Sequence, residues 1–464
     1  MEMPERAPRF PRPAFLALVL CCGAALLLVG CRTNFEKMRH DHAETFPSEL
    51  EEKTAAILAH GSELGLDDCI RIALKNNLSL KSAEIQRRLA GLDKNIAFSA
   101  FLPQIQVEYS WHRTDNLQMI KAGGHYTAMS DQRVENFTVA AQQPIFVPSA
   151  WLIYSMRQKG EDISELVLER TRQMIQLQVA YLYYAHLSRS ELAAWLEDEV
   201  AQAEALLKQV SALEREGLET RANLLNVEAL LQARRNGVKE NRRLEKQTRA
   251  ELLETMGLYP FAELTLKREA PLSIVEQTLE EDVLEALLNR PELGIADRTI
   301  TVNKEQARLA IAAFLPQVMG VGAFNYTSDS HLRYSGLWSH GISAVLMSLN
   351  GFRTVFEYQA ARKRGEDGFV QREQTCMAIM IEALKARLSL DAASDELALS
   401  EKALLAAAES FREAEALERE GWIDTAARIE RMAARDAARA RVALARFQEQ
   451  VSTAAALGVL GRSR

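Results

Sequence analysis

The sequence predicts a mainly α-helical fold that also supplies strands to a membrane β-barrel, built as two copies of one unit. Three observations in its 464 residues lead to this fold class. The phrase FLPQ stands at Phe101–Gln104 and again at Phe314–Gln317. Each copy is followed by segments of alternating polarity, and then by about 100 residues without proline, as in long helices. The same order of features in both halves indicates an internal duplication.

The N-terminus has the pattern of a secretory signal. Three arginines precede an apolar run from Ala14 to Val29, which is shorter than a membrane helix. The run ends in LVGC, and this ending resembles the lipobox of bacterial lipoproteins. The resemblance implies that residues 1–30 are a cleaved signal peptide and that Cys31 is acylated, with palmitate as a typical lipid. The alternative is a simple secretory signal, or an uncleaved anchor with an incidental cysteine.

Composition limits the remaining classes. The net charge is −7 and the chain has no basic tract, so the sequence predicts no nucleic-acid partner. Besides Cys31, the expected mature chain keeps only Cys69 and Cys376, which do not make a disulfide framework. Stability must therefore come from packing.

The two copies can be aligned without a gap over one long stretch. Residues 73–104 lie over residues 286–317 at an offset of 213, and ALEREG recurs at an offset of 204. After a linker at 31–60, the sequence therefore predicts a first repeat at 61–256, an inter-repeat linker at 257–279 and a second repeat at 280–464.

Each copy begins with a predicted helix, at about 67–100 and 280–313. The residue before a proline is pushed out of the α region, so these helices should end at Pro103 and Pro316. Pro144 is predicted to mark the return from strand to helix in the first copy. These three prolines are the predicted helix-to-strand junctions.

A pair of strands is predicted after each junction. The first pair is expected at about 104–116 and 134–143, and the second at about 317–327 and 338–349. Apolar residues alternate with polar ones in the first strand, so one face should point to lipid. The predicted lipid-facing residues are Ile105, Val107, Tyr109 and Trp111.

Each long proline-free segment is predicted to fold into an antiparallel helical hairpin, at about 150–256 and 353–457. Gly217 and Gly421 lie near the middle of these segments, and a glycine after a periodic segment ends a helix. Each arm would form a rod of roughly 100 Å.

Strands of about ten residues suit the thickness of a bilayer. Four strands alone would leave unpaired edges in hydrocarbon, so the chain should close a barrel with copies of itself, and three copies would supply twelve strands. The alternative is a soluble sandwich of short hairpins on a coiled-coil stalk.

This order of helix, FLPQ, β-hairpin and helical hairpin resembles the TolC family of bacterial outer-membrane efflux proteins, and the LVGC ending is similar to its lipid-anchored branch. The resemblance implies a homotrimer with a twelve-stranded barrel in the outer membrane and a twelve-helix periplasmic tunnel. It also implies partners: a periplasmic adaptor and an inner-membrane transporter that supplies the energy.

The two rod tips, REGLET at Arg215–Thr220 (tip 1) and REGWID at Arg419–Asp424 (tip 2), resemble the family's adaptor-docking turns. The docking residues implied are Gly217, Leu218, Gly421, Trp422 and Ile423. A plain helix cap with an apolar contact is the alternative. Six residues after each glycine, where the family often has Asp, this chain has Asn223 and Ala427, so no gate residue is assigned.

No catalytic motif, phosphate-binding loop or cofactor motif is present, so the sequence predicts no enzyme and no cofactor. His40 and His42 are expected to lie in a solvated linker, and no metal site is predicted. Two other functions stay open: the outlet of a type I protein secretion system, and a coiled-coil envelope lipoprotein that forms no channel.

Overall fold

The computed structural model describes residues 34–58, 63–269, 272–275, 277–346 and 351–462. The expected signal peptide and Cys31 lie outside the described residues. The elements of the first half are α1 (Phe35–Leu58), α2 (Leu66–Asn76), α3 (Leu78–Ser99), β1 (Gln104–Arg113), β2 (Met119–Ala122), β3 (His125–Ala128), β4 (Arg133–Phe146), α4 (Pro148–Arg215) and α5 (Arg221–Thr255). Those of the second half are α6 (Leu279–Asn289), α7 (Pro291–Ala312), β5 (Gln317–Thr327), β6 (Gly336–Val345), α8 (Arg353–Arg419) and α9 (Thr425–Val459).

None of the helices in the described ranges combines the length and the apolar character that a membrane span requires.

Two long helices organise the chain. Helix α4 has 68 residues and α8 has 67, so each is about 100 Å long. On the sheet side, α3, α4, α7 and α8 pack side by side in that order, and on the tip side the order is α5, α4, α9 and α8. The sheet order is β1, β4, β5 and β6, all antiparallel. Every level is therefore a row of four elements, two from each repeat.

The predicted single helix at the start of each repeat is wrong, because both helices break in two. Asn77 accepts a hydrogen bond from Leu80 N through its side-chain oxygen, and its amide donates to Thr255 O at 2.8 Å. In the second repeat, Pro291 at the first helical position holds Arg290 in an extended conformation. These breaks place α2 and α6 as a belt around the middle of the rods.

Other boundaries also differ from the predictions. Residues 31–60 were expected to be a linker, but 35–58 form helix α1. Between the two predicted strands of the first pair, β2 and β3 form a further hairpin across Gly123 and Gly124, whose φ values are +58° and +88°. Strand β1 ends at Arg113, and β6 runs from Gly336 to Val345.

The largest buried apolar cluster lies at the belt. It joins α2, α4 and the end of α5 through residues such as Cys69, Tyr183, Leu252 and Leu253, all fully buried. The hydroxyl of Tyr183 donates a hydrogen bond to the carbonyl of Lys267, which follows α5. The belt therefore fixes the middle of the first rod.

Nearer the tips, a buried ion network joins the two repeats. Arg234 of α5 lies 2.8 Å from Glu199 of α4 and 2.8 Å from Asp436 of α9. Arg435 bonds Asp436 at 2.7 Å and Gln202 Oε1 at 2.6 Å. Burial raises the pKa of Glu199, with a further increase from Asp436 and an opposing decrease from the arginines. Arg234 thus compensates two buried carboxylates.

Arg234→Ala is expected to destabilise the rods by about 3–5 kcal/mol, because Glu199 and Asp436 would remain buried without this cation. Arg235→Ala is the matched control, since the neighbouring Arg235 pairs with Glu204 at the surface and should change stability by less than about 1 kcal/mol. Far-UV circular dichroism of the detergent-solubilised protein during urea unfolding measures both. Equal stabilities for the two variants would contradict the role given to Arg234.

Candidate functional site

The outer elements of the four-element rows form the first candidate interaction surface. β1 and β6 each have one strand neighbour in the four-stranded sheet, so the outer side of each strand has unpaired backbone groups. The same sides of the chain are bounded by α3 and α5 on one flank and by α8 on the other. The sheet and the rods therefore share two flanks that lack a strand or rod neighbour among the residues that the structure describes.

The two faces of the sheet differ in chemistry. Pairing continues from strand to strand, so residues in register lie on one face. Ile105, Val107, Tyr109 and Trp111 share one face of β1, and the row Val107, Val139, Phe324 and Trp338 crosses all four strands. The opposite face has rows such as Glu108, Thr138, Asn325 and Leu337, or Gln106, Ala140, Ala323 and Ser339.

The sheet is also exposed on both faces. Val134 is the only buried strand residue in the part of the chain that the structure describes, and no buried apolar cluster found there contains a strand residue. An apolar face without cover is unusual for a chain in water. The polar face and the apolar face therefore suit two different surroundings.

Pro103 and Pro316 lie where the sequence placed them, between a helix and a strand. α3 ends at Ser99 and β1 begins at Gln104, while α7 ends at Ala312 and β5 begins at Gln317. The Phe101 ring packs on Trp151 of α4 at a centroid distance of 4.5 Å, which joins the strand entrance to the rod. The same four-residue spacing separates helix from strand at both junctions, as expected for a duplication.

Pro144 is not a junction, and this prediction is wrong. It lies inside β4 and pairs with Met319, next to an irregularity before Phe146. β1 begins opposite Gln142, so Pro144 has a strand neighbour on the β5 side alone and its missing N–H removes no bond to β1. Helix α4 begins at Pro148, which occupies the first helical position.

The tips are two copies of one helix end. Gly217 and Gly421 have φ values of +75° and +77°, a conformation that glycine adopts without strain. Leu218 N bonds to Leu213 O at 2.8 Å and Trp422 N bonds to Leu417 O at 2.9 Å, the 6→1 bond of a Schellman motif. The returning helices begin with side-chain caps from Thr220 and Asp424.

Both tips present apolar surface to solvent. Leu218 is 70% exposed and Trp422 is 76% exposed, whereas Ile423 is half-buried. In a cap stabilised by an apolar contact, Leu218 would pack on its own helix. Exposure of the two side chains therefore favours a surface that another molecule covers.

A carboxylate connects the tips. Glu219 accepts hydrogen bonds from the Asn223 amide at 2.9 Å and from the Thr425 hydroxyl at 2.9 Å, so it joins tip 1 to the start of α9. The bond from Asn223, followed by the bonds from Thr425 and the Thr220 amide, lowers the pKa of Glu219. Asn223 thus orients an acidic group, and Ala427 donates its N–H to Asp424 as part of the cap.

One cluster was not anticipated from the sequence. Asp131 and Asp329 come from different repeats, and the structure brings them together with His331 in the loops beyond the strands. The backbone N–H of His331, with other bonds, lowers the pKa of Asp329. No signal in the sequence connects residues 198 positions apart. His40, by contrast, contacts Glu44 on exposed helix α1.

The sequence of the first repeat is similar to that of a known protein family. Residues 69–258 match the family described as outer membrane efflux protein. No curated protein sequence matches the chain. The first repeat therefore matches the outer membrane efflux protein family, and the resemblance of the sequence to outer-membrane efflux proteins is confirmed.

Solved structures share the fold over most of the chain. The transmembrane channel CusC matches with a TM-score of 0.75 at 16% identity, covering 86% of this chain and 92% of CusC. The outer membrane channel CmeC of Campylobacter jejuni matches with a TM-score of 0.73 at 17% identity, covering 86% and 87%. The MtrE outer membrane channel of Neisseria gonorrhoeae in its open state matches with a TM-score of 0.71 at 18% identity, covering 85% and 88%.

Proposed function

We propose that this protein is the outer-membrane channel of a tripartite efflux system, and that three copies form its wall. The observation that carries the proposal is the pair of shared flanks, since β1 and β6 end the sheet on the same sides where α3, α5 and α8 end the rods. A second copy placed on either flank would continue the sheet and the rods together. Three copies would give a twelve-stranded barrel above a twelve-helix tunnel.

The faces of the sheet support insertion in a bilayer. A barrel in lipid needs an apolar outside and a polar lumen. The apolar row containing Val107 and Trp338 would face the lipid, and the more polar row containing Glu108 and Asn325 would face the lumen. Helix α8 bounds one flank of the rods and has three exposed leucines, Leu388, Leu399 and Leu405, and a neighbouring copy on this flank would cover apolar surface of α8. A scaffold without a channel has no use for such a sheet.

The tips would receive a periplasmic adaptor. Leu218 and Trp422 form apolar ends on charged rods, and aromatic anchors dominate the energetics of many protein interfaces. An inner-membrane transporter would supply the energy through this adaptor, and the channel itself would conduct passively. Acylation of Cys31 would add a lipid anchor in the same membrane.

A pair of adjacent substitutions tests the wall. Val107→Arg is expected to hinder insertion, because a cation on the lipid face near the bilayer midplane costs about 2–4 kcal/mol. Gln106→Arg on the opposite face should leave insertion intact and shift the ion selectivity of the pore toward anions. Conductance of the purified protein in planar bilayers, with trimer yield in the membrane fraction, measures both effects. Wild-type protein that inserts but conducts no ions would contradict the channel, and equal yields would contradict the assignment of faces.

A double substitution tests the tips. Leu218→Glu with Trp422→Glu is expected to weaken adaptor binding by at least about 30-fold, because it removes both apolar anchors without changing either turn. Phe261→Glu is the matched control, since Phe261 is 77% exposed and follows the end of α5 that is opposite to tip 1. Co-purification and surface plasmon resonance with the adaptor of the same efflux system measure binding. Unchanged binding by a correctly assembled double variant would exclude the tips as the docking surface.

A further inference from the structure

The loops beyond the strands bring together a set of metal-ligand atoms. Asp131 precedes β4, whereas Asp329 and His331 lie between β5 and β6. His331 Nδ1 is 3.1 Å from Asp329 Oδ1 and 3.4 Å from Asp131 Oδ1. Ligand atoms of the three side chains all lie within 4.8 Å of one another. One ion at ordinary coordination distances of about 2.0–2.2 Å could therefore contact all three after small side-chain adjustments.

Backbone donors hold the two carboxylates in place. Asp131 N donates to Asp329 Oδ1 at 3.2 Å, and Ser330 N donates to Asp131 Oδ2 at 2.7 Å. His331 N donates to Asp329 Oδ1 at 3.0 Å. Asp329 is also buried. The ligand atoms are therefore ordered before any ion arrives, which reduces the entropic cost of binding.

The charge of the cluster is not balanced by lysine or arginine. Two carboxylates this close repel each other unless a cation lies between them. Across the described ranges, no Lys or Arg nitrogen lies within 4 Å of Asp131 or Asp329, and His331 is their one ionisable basic contact. A dication at the centre would compensate both acids and would use the imidazole nitrogen as its third ligand.

The donor set selects the class of ion. One imidazole nitrogen with two carboxylate oxygens suits Zn²⁺ and related first-row dications, whereas Mg²⁺ and Ca²⁺ favour oxygen ligands alone. Three protein ligands leave a fourth position for water. We propose that Asp131, Asp329 and His331 bind one Zn²⁺-class dication, which ties the outer loop of one repeat to that of the other.

The position of the site gives the ion a structural consequence. Leu332, Arg333 and Tyr334 follow His331 and line a cleft of about 580 Å³ together with Glu108 and Asn136 from the polar face of the sheet. An ion bound at the cluster would fix the loop between β5 and β6 to Asp131, which precedes β4. The proposal concerns the loops of a single chain, so it stands independently of adaptor binding and of transport.

The test is zinc binding by the full-length protein in detergent, carrying a tag without histidine and stripped of metal with EDTA. Isothermal titration is expected to give one site per chain, and His331→Ala or Asp329→Asn should each weaken it by about tenfold or more. His125→Ala, in the neighbouring β2–β3 hairpin, is the matched control and should bind as the wild type does. Trimer migration verifies that each variant is assembled.

A second readout follows the loop itself. Arg333 is exposed, so trypsin should cleave after it, and zinc is expected to slow this cleavage in the wild type but not in His331→Ala. Excess EDTA should restore the original rate. Equal zinc affinity in wild type and His331→Ala would overturn the site. Absence of zinc binding, with cleavage unaffected, would show that the cluster is a hydrogen-bonded turn only and would equally overturn the proposal.

Discussion

The unpaired backbone along β1 and β6 is the constraint on which the rest of the structure depends. Inside a bilayer no water can satisfy these N–H and C=O groups, and each open group costs several kcal/mol. A four-stranded sheet with one apolar face must therefore continue into another chain. The rods follow the same requirement, because α3, α5 and α8 leave the same two flanks open at their levels.

Duplication explains how one chain satisfies this constraint at every level. Each repeat supplies two strands of the four-stranded sheet and the helices that continue them, so a row of four elements passes from the sheet to the tips with the same order of repeats. Polar side-chain contacts hold the two repeats together at the centre of each row. Arg234 of the first repeat binds Glu199 of the same repeat and Asp436 of the second, and Glu219 binds Thr425 at the tips. The centre of each row is thus held together within the chain, and the two flanks are the surfaces at which the proposed trimer would form.

Local signals in the sequence predicted much of this fold. Pro103 and Pro316 set the junctions because proline acts on its immediate neighbour, and Gly217 and Gly421 set the tips for a similar reason. The wrong predictions concern residues whose conformation depends on partners far away in the sequence. Asn77 ends a helix by bonding Thr255, and Pro144 fits in a strand because β1 begins only opposite Gln142. Asp131 and Asp329 meet through the sheet, so no sequence pattern could join them.

The number of chains in the assembly directly tests whether the unpaired flanks are closed by further copies of the same chain. Native mass spectrometry of the full-length protein, released from mild detergent, measures it without any partner protein. Closure of the flanks by two further copies predicts a single assembly of three chains that survives release. A folded single chain would contradict closure, and an assembly of two or four chains would contradict the twelve-stranded wall.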